Sequence, residues 1–177
     1  MFNRLKNEKG FTLIELLAVI VIMGVLMMVA IPAMTKYIEN SKRDVFADTA
    51  KKYISSVRYS VLSDSYQCGT ADCGLPDVGG SLLVPCNLID LDNDTGKSPW
   101  SKNFSRDYAW VLIKTTGEVN KPVYTYSFIG TDDSGNGIVS LTEETSIGRQ
   151  AVKKGTTKAS KPVCVSTTNC LAVTSVK

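Results

Sequence analysis

Glu15 is the one ionisable side chain between Lys9 and Lys36, and twenty uncharged residues separate it from Lys36. A carboxylate in such surroundings is costly to keep charged unless a cation or several hydrogen-bond donors meet it. It is therefore a residue in need of a partner. A second chemistry lies in the five cysteines, Cys68, Cys73, Cys86, Cys164 and Cys170, an odd number that leaves one thiol over if the others pair within the chain. A third lies in acidic loops. Asp132, Ser134, Asn136 and Gly137 followed by Glu143 have the spacing of a calcium-binding loop, and Asp90, Asp92 and Asp94 form a second acidic cluster. There is no histidine. The usual general base, proton shuttle and commonest transition-metal ligand are thus all missing, so triad chemistry is not expected and the chain reads as a non-enzyme.

The elements that position these groups follow from the distribution of apolar residues. Residues 1–10 are short and basic, with Arg4, Lys6 and Lys9 against Glu8, which places them on the cytoplasmic side of a membrane. The run over residues 11–35 is long enough, at a helical rise of about 1.5 Å per residue, to cross a hydrocarbon core of about 30 Å. A secretory signal peptide has a shorter apolar region that ends at a small-residue cleavage site. Here the pattern instead becomes amphipathic over residues 36–62, with Ile38, Phe46, Ala50, Tyr53, Ile54, Val57 and Val61 at steps of three and four. One helix from Phe11 to Leu62 would measure about 75 to 80 Å, too long to be buried in one domain of this size. Its first half must be covered by something else.

Residues 63–105 read as a long loop rich in Gly and Pro, with one short strand over 81–84. Cross-links from Cys68, Cys73 and Cys86 would hold it, and both Cys68 to Cys73 and Cys68 to Cys86 are open pairings. A metal site built from these three thiolates and an aspartate lacks the paired spacing of zinc modules. Alternation predicts strands over 107–115, 123–129 and 138–142, joined by turns at 117–122 and 132–137, and a last strand over 162–166. The calcium-like spacing falls in the second of these turns, between strands rather than helices, so an ordinary turn is the reading there and calcium the one candidate ion. No other cofactor is expected. After Glu144 come Arg149, Lys153, Lys154, Lys158, Lys161 and Lys177 without an acid. They could offer a basic surface to DNA or another anionic partner, but no aromatic residue follows Phe128, so a solvated face is the simpler reading.

The segment Lys9-Gly10-Phe11-Thr12-Leu13-Ile14-Glu15 with its apolar continuation resembles the cleavage motif of the type IV pilin family, pseudopilins of secretion and competence systems included. The resemblance implies an α+β fold in which a long N-terminal helix packs by its second half on a small antiparallel sheet. It implies a leader over 1–10, a membrane and filament-core helix over 11–35, and a globular domain over 36–177. It also implies cutting between Gly10 and Phe11 and methylation of Phe11 by a prepilin peptidase. Assembly residues would be Glu15, Gly24 and Pro32, with Glu15 paired to the new amine of Phe11 on a neighbour. A C-terminal disulfide between Cys164 and Cys170 is likewise implied. The expected partners are other pilin subunits, the peptidase and an inner-membrane assembly platform. The expected location is the inner membrane for the precursor and a surface filament once assembled. The function expected on this basis is a major or minor subunit of a type IV pilus serving adhesion, motility, aggregation or DNA uptake. The alternatives are a pseudopilin of a type II-like secretion or competence system and a membrane-anchored ligand-binding module.

Overall fold

The structure, a computed structural model, describes residues 10–63, 65–68, 71–89, 96–104, 106–155, 157–162 and 170–176. It divides into two compact units, residues 1–39 and 40–177. Helix α1, Leu13–Leu62, runs through 50 residues without interruption. It continues past Pro32, where the missing backbone donor leaves a carbonyl one turn earlier without its partner. Three residues on, Thr35 Oγ1 donates to the Pro32 carbonyl at 2.9 Å.

In the second unit α1 is amphipathic because its apolar residues recur at helical spacing. Phe46, Ala50, Tyr53, Ile54, Val57 and Val61 are buried, whereas Ile38, which the same pattern would include, is exposed. Six strands fill the middle of the chain: β1 Tyr66–Cys68, β2 Ala71–Asp72, β3 Ser81–Pro85, β4 Ala109–Glu118, β5 Lys121–Thr131 and β6 Gly137–Glu143. Two short strands close it, β7 Cys170–Ala172 and β8 Ser175–Val176. The main sheet has the order β6-β5-β4-β3-β7, and a smaller one has the order β2-β1-β8.

This is the expected α+β architecture with two corrections. The main sheet is not purely antiparallel, since β7 pairs parallel with β3, Leu82 opposite Leu171. The loop over 63–105 also carries more structure than one strand, because β1 and β2 pair with each other and β8 closes on β1. β4 and β5 reach further into their hairpin than alternation suggested, to Glu118 opposite Lys121. Of the last expected strand, over 162–166, all but Pro162 lies outside the described residues.

The central strands are apolar on both faces because both faces are covered. Leu82, Val84, Val111, Ile113 and Phe128 join the buried face of α1 in one core. The alternate residues Leu83, Trp110, Leu112 and Ile129 form a second cluster with Ala159 of the C-terminal segment. Ala159 N–H donates to Thr131 Oγ1 at 2.8 Å, which ties that segment to β5. Aromatic rings lock the first core: Phe46 lies 6.0 Å from Trp100 and 5.8 Å from Phe104, and Tyr53 stacks 6.1 Å from Phe128. Such pairs add about 0.5 to 1.5 kcal/mol each beyond the area they bury.

Candidate functional site

The N-terminal end of α1 is built by two side chains. Thr12 precedes the helix and Glu15 stands three residues later, the spacing of a capping box. Glu15 N–H donates to Thr12 Oγ1 at 3.3 Å, while Thr12 N–H and Thr12 Oγ1–H both donate to Glu15 Oε2, at 2.8 and 2.9 Å. Orphan donors at the helix start are thereby satisfied. Both donations end on one carboxylate oxygen, and among the described residues Oε1 accepts no hydrogen bond. Thr12 thus caps α1 and holds the Glu15 carboxylate, a role not among the sequence expectations. The Thr-x-x-Glu signature before an apolar run was the signal that could have found it.

Around this cap the apolar surface is uncovered among the described residues. Every residue from Gly10 to Ile38 is exposed. Sixteen large apolar side chains from Leu13 to Met34 are between 51% and 83% exposed. At about 1.5 kcal/mol or more for each such side chain moved out of water, the uncovered surface is worth on the order of 20 kcal/mol. Among the described residues α1 is the one helix long and apolar enough to cross a membrane, with its most apolar window wholly unburied. Two glycines in this stretch face open space among the described residues. A Cβ at Gly10 or at Gly24 would meet no atom within 4 Å, and neither glycine has a positive φ. Gly24 inside a helix costs about 1 kcal/mol relative to alanine.

Residues 5–31 match the family described as the prokaryotic N-terminal methylation motif. This is the signature of the type IV prepilin and pseudopilin family. The matched segment holds the Gly10–Phe11 junction, Thr12, Glu15 and Gly24, while Pro32 falls just beyond it. No solved structure matches the chain significantly. The motif together with the uncovered helix fits a single-pass, membrane-anchored precursor of a pilin-like protein, a family whose motif is structural rather than catalytic.

The other candidate residues belong to the second unit. Cys68 and Cys73 form a disulfide, with Cα atoms 5.4 Å apart, between β1 and the segment after β2. Of the two pairings left open, the one to Cys86 is therefore excluded; Cys86 lies buried in the main core. The bridge also rules out a metal site of three thiolates, because its two sulfurs are bonded to each other. Cys164 lies outside the described residues, and with it the pairing to Cys170.

The calcium-like set is not assembled either. Asp132 is fully buried. Its carboxylate accepts hydrogen bonds from Ser98 Oγ, from the backbone N–H groups of Ser134 and Asn136, and from the Asn136 amide. It thus organises a turn. Glu143 stands at the opposite end of β6, about 20 Å away along an extended strand. Among the described residues no group of three or more acids or cysteines is placed to hold a metal ion, and Asp90, Asp92 and Asp94 lie outside them.

The basic C-terminal run is divided. Arg149 makes a bidentate pair with Asp44 of α1, and that hydrogen bond is the main reason the Asp44 carboxyl sits below its ordinary value. Lys158 lies 3.9 Å from Asp133 and 4.5 Å from the centre of the Tyr108 ring. Lys153, Lys154 and Lys161 are exposed.

Proposed function

We propose that this chain is the precursor of a structural subunit of a type IV pilus. It is cut between Gly10 and Phe11 by a prepilin peptidase, methylated at the new amine of Phe11, and passed by an inner-membrane platform into a polymer held by the apolar half of α1. The observation that carries the reading is the uncovered helix behind the Gly-Phe junction. Surface worth on the order of 20 kcal/mol has only two stable surroundings, lipid and other helices of the same kind. Extraction from the membrane into a filament exchanges the first for the second. Gly24, where an added Cβ would meet no atom of the described residues within 4 Å, admits close approach of a neighbouring helix there.

Glu15 then has two tasks that use different oxygens. Oε2 caps its own helix through Thr12, and Oε1 faces the methylated amine of Phe11 on the next subunit. The pairing neutralises two charges inside an apolar bundle and fixes the axial stagger between helices. The protein performs no catalysis; adhesion, motility, aggregation or DNA uptake belong to the filament.

The reading is tested by comparing Gly10→Ser and Glu15→Gln with the parent chain in cells that carry the assembly machinery. The Gly10 variant should accumulate as uncut precursor in the membrane. The Glu15 variant should be cut normally yet yield no polymer on shearing. Polymer from Glu15→Gln at parental levels would remove the pairing from the account. Polymer confined to the cell envelope, with none released by shearing, would assign the chain to a secretion pseudopilus instead.

A further inference from the structure

In the second unit, three segments line an open cleft of about 510 Å³ formed by Trp100, Lys102, Ser134, Asn136, Lys154 and Gly155. The segments are far apart in sequence but tied together beneath the cleft. The buried carboxylate of Asp132 joins Ser98 of the first to Ser134 and Asn136 of the second. A reciprocal backbone pair between Gly137 and Lys153, 2.8 Å each way, joins the second to the third. The Trp100 ring packs at a tilt on Phe46, with centroids 6.0 Å apart. The cleft is therefore formed before any ligand arrives.

Its chemistry is one-sided. Among the described residues its lining is one indole, two lysines, a serine, an asparagine and a glycine, with no carboxylate. Asp132 lies below, enclosed and engaged by its four donors. Lys102 and Lys154 are exposed, and among the described residues neither takes part in an ion pair. The Ser134 hydroxyl also makes no hydrogen bond among the described residues. A flat aromatic face, two cations and a polar rim match a sugar that carries a negative charge. A single-stranded nucleic acid would call for successive stacking rings, and only Trp100 stands in the cleft.

We propose that this cleft binds an acidic saccharide, with the face of one pyranose ring on Trp100 and its carboxylate paired with Lys102 and Lys154. The site lies wholly in the second unit and does not depend on polymerisation.

The test is titration calorimetry of the full chain in non-ionic detergent with a trimer of galacturonic acid, its methyl ester, and a short oligothymidylate. The trimer should bind saturably at one site, and the ester on the order of tenfold more weakly for loss of the charge–charge pairing. Trp100→Ala should abolish binding. Because that change also disturbs the contact with Phe46, the exposed variants Lys102→Glu and Lys154→Glu carry the test independently, each weakening the trimer on the order of tenfold. Lys121→Glu, at the far end of β5, should leave it unchanged. The proposal is overturned by absence of saturable binding, by equal affinity for acid and ester, by an equal effect of Lys121→Glu and Lys154→Glu, or by tighter binding of the oligothymidylate.

Discussion

Gly137 opens β6 at the point where that strand, the C-terminal segment and α1 converge, and replacing it by alanine tests whether this convergence is as close as the structure shows. Its φ of +144° is one that L side chains rarely adopt. An added Cβ would run into the carbonyl oxygen of Gly130, and would stand 2.7 Å from Phe46 Cζ and 2.9 Å from Thr131 Cα. Two of these neighbours are backbone in the paired strand, and the third is a ring only 2% exposed, held between Trp100 and Phe104. None can yield without moving the β5–β6 register or the helix. Strain at such a φ costs about 1 to 3 kcal/mol and overpacking a similar amount, so Gly137→Ala should destabilise the second unit by about 3 kcal/mol or more.

The assay is urea unfolding of the full chain in non-ionic detergent, followed by tryptophan fluorescence, since Trp100 and Trp110 both belong to that unit. With a slope of about 1.5 kcal/mol per molar urea, the midpoint should fall by about 2 M. Gly148→Ala is the control, because a Cβ there meets nothing within 4 Å. If the two variants unfold at the same urea concentration, the packing of α1 against the β5–β6 turn is wrong.

Two further outcomes are expected of the same unit. Replacing Cys68 and Cys73 together by serine releases a loop closed over five residues and should lower stability by about 2 kcal/mol on the chain-entropy estimate, read as a shifted urea midpoint; no shift would mean the bridge is absent in solution. The Asp44–Arg149 pair gives a pH dependence of defined sign. The folded-state pKa of Asp44 lies below its ordinary 3.8, chiefly through the hydrogen bond from Arg149 and against a desolvation that opposes it. The pair's contribution is therefore present above 3.8 and lost as pH falls through the lower folded value. The parent chain should be more stable than Arg149→Ala at neutral pH, and the gap should close in strong acid; a gap that widens in acid would contradict the pairing.

The helix was the most legible part of the molecule, for two physical reasons. Its second half repeats apolar residues at steps that leave little ambiguity from Phe46 to Val61. Its first half is so uniformly apolar that only lipid or like helices can cover it. Strands β4, β5 and β6 were legible from alternation and from the Asp-Asp-Ser-Gly-Asn-Gly turn. What stayed hidden depended on contacts distant in sequence. The parallel pairing of β7 with β3 joins residues about ninety positions apart, and the three residues of β7 are too few to show a periodicity of their own. The turn at Asp132 was legible, but an Asx-type turn and a calcium loop place the same residue types at the same spacing; what separates them is whether the carboxylate meets protein donors, and Ser98, one of those donors, lies 34 residues away. At the N-terminus the need of Glu15 for a partner was legible from its apolar surroundings, whereas its bonds to Thr12 depend on where the helix starts, which a uniformly apolar run does not mark.

The central claim is that the chain works only after losing its first ten residues. Intact-mass analysis of the protein recovered by shearing cells that express it with its assembly machinery addresses this most directly. The mature chain should begin at Phe11, carry one added methyl group and come from polymer. A functional chain that retains Met1 to Gly10, or one that begins at any other residue, would contradict the account.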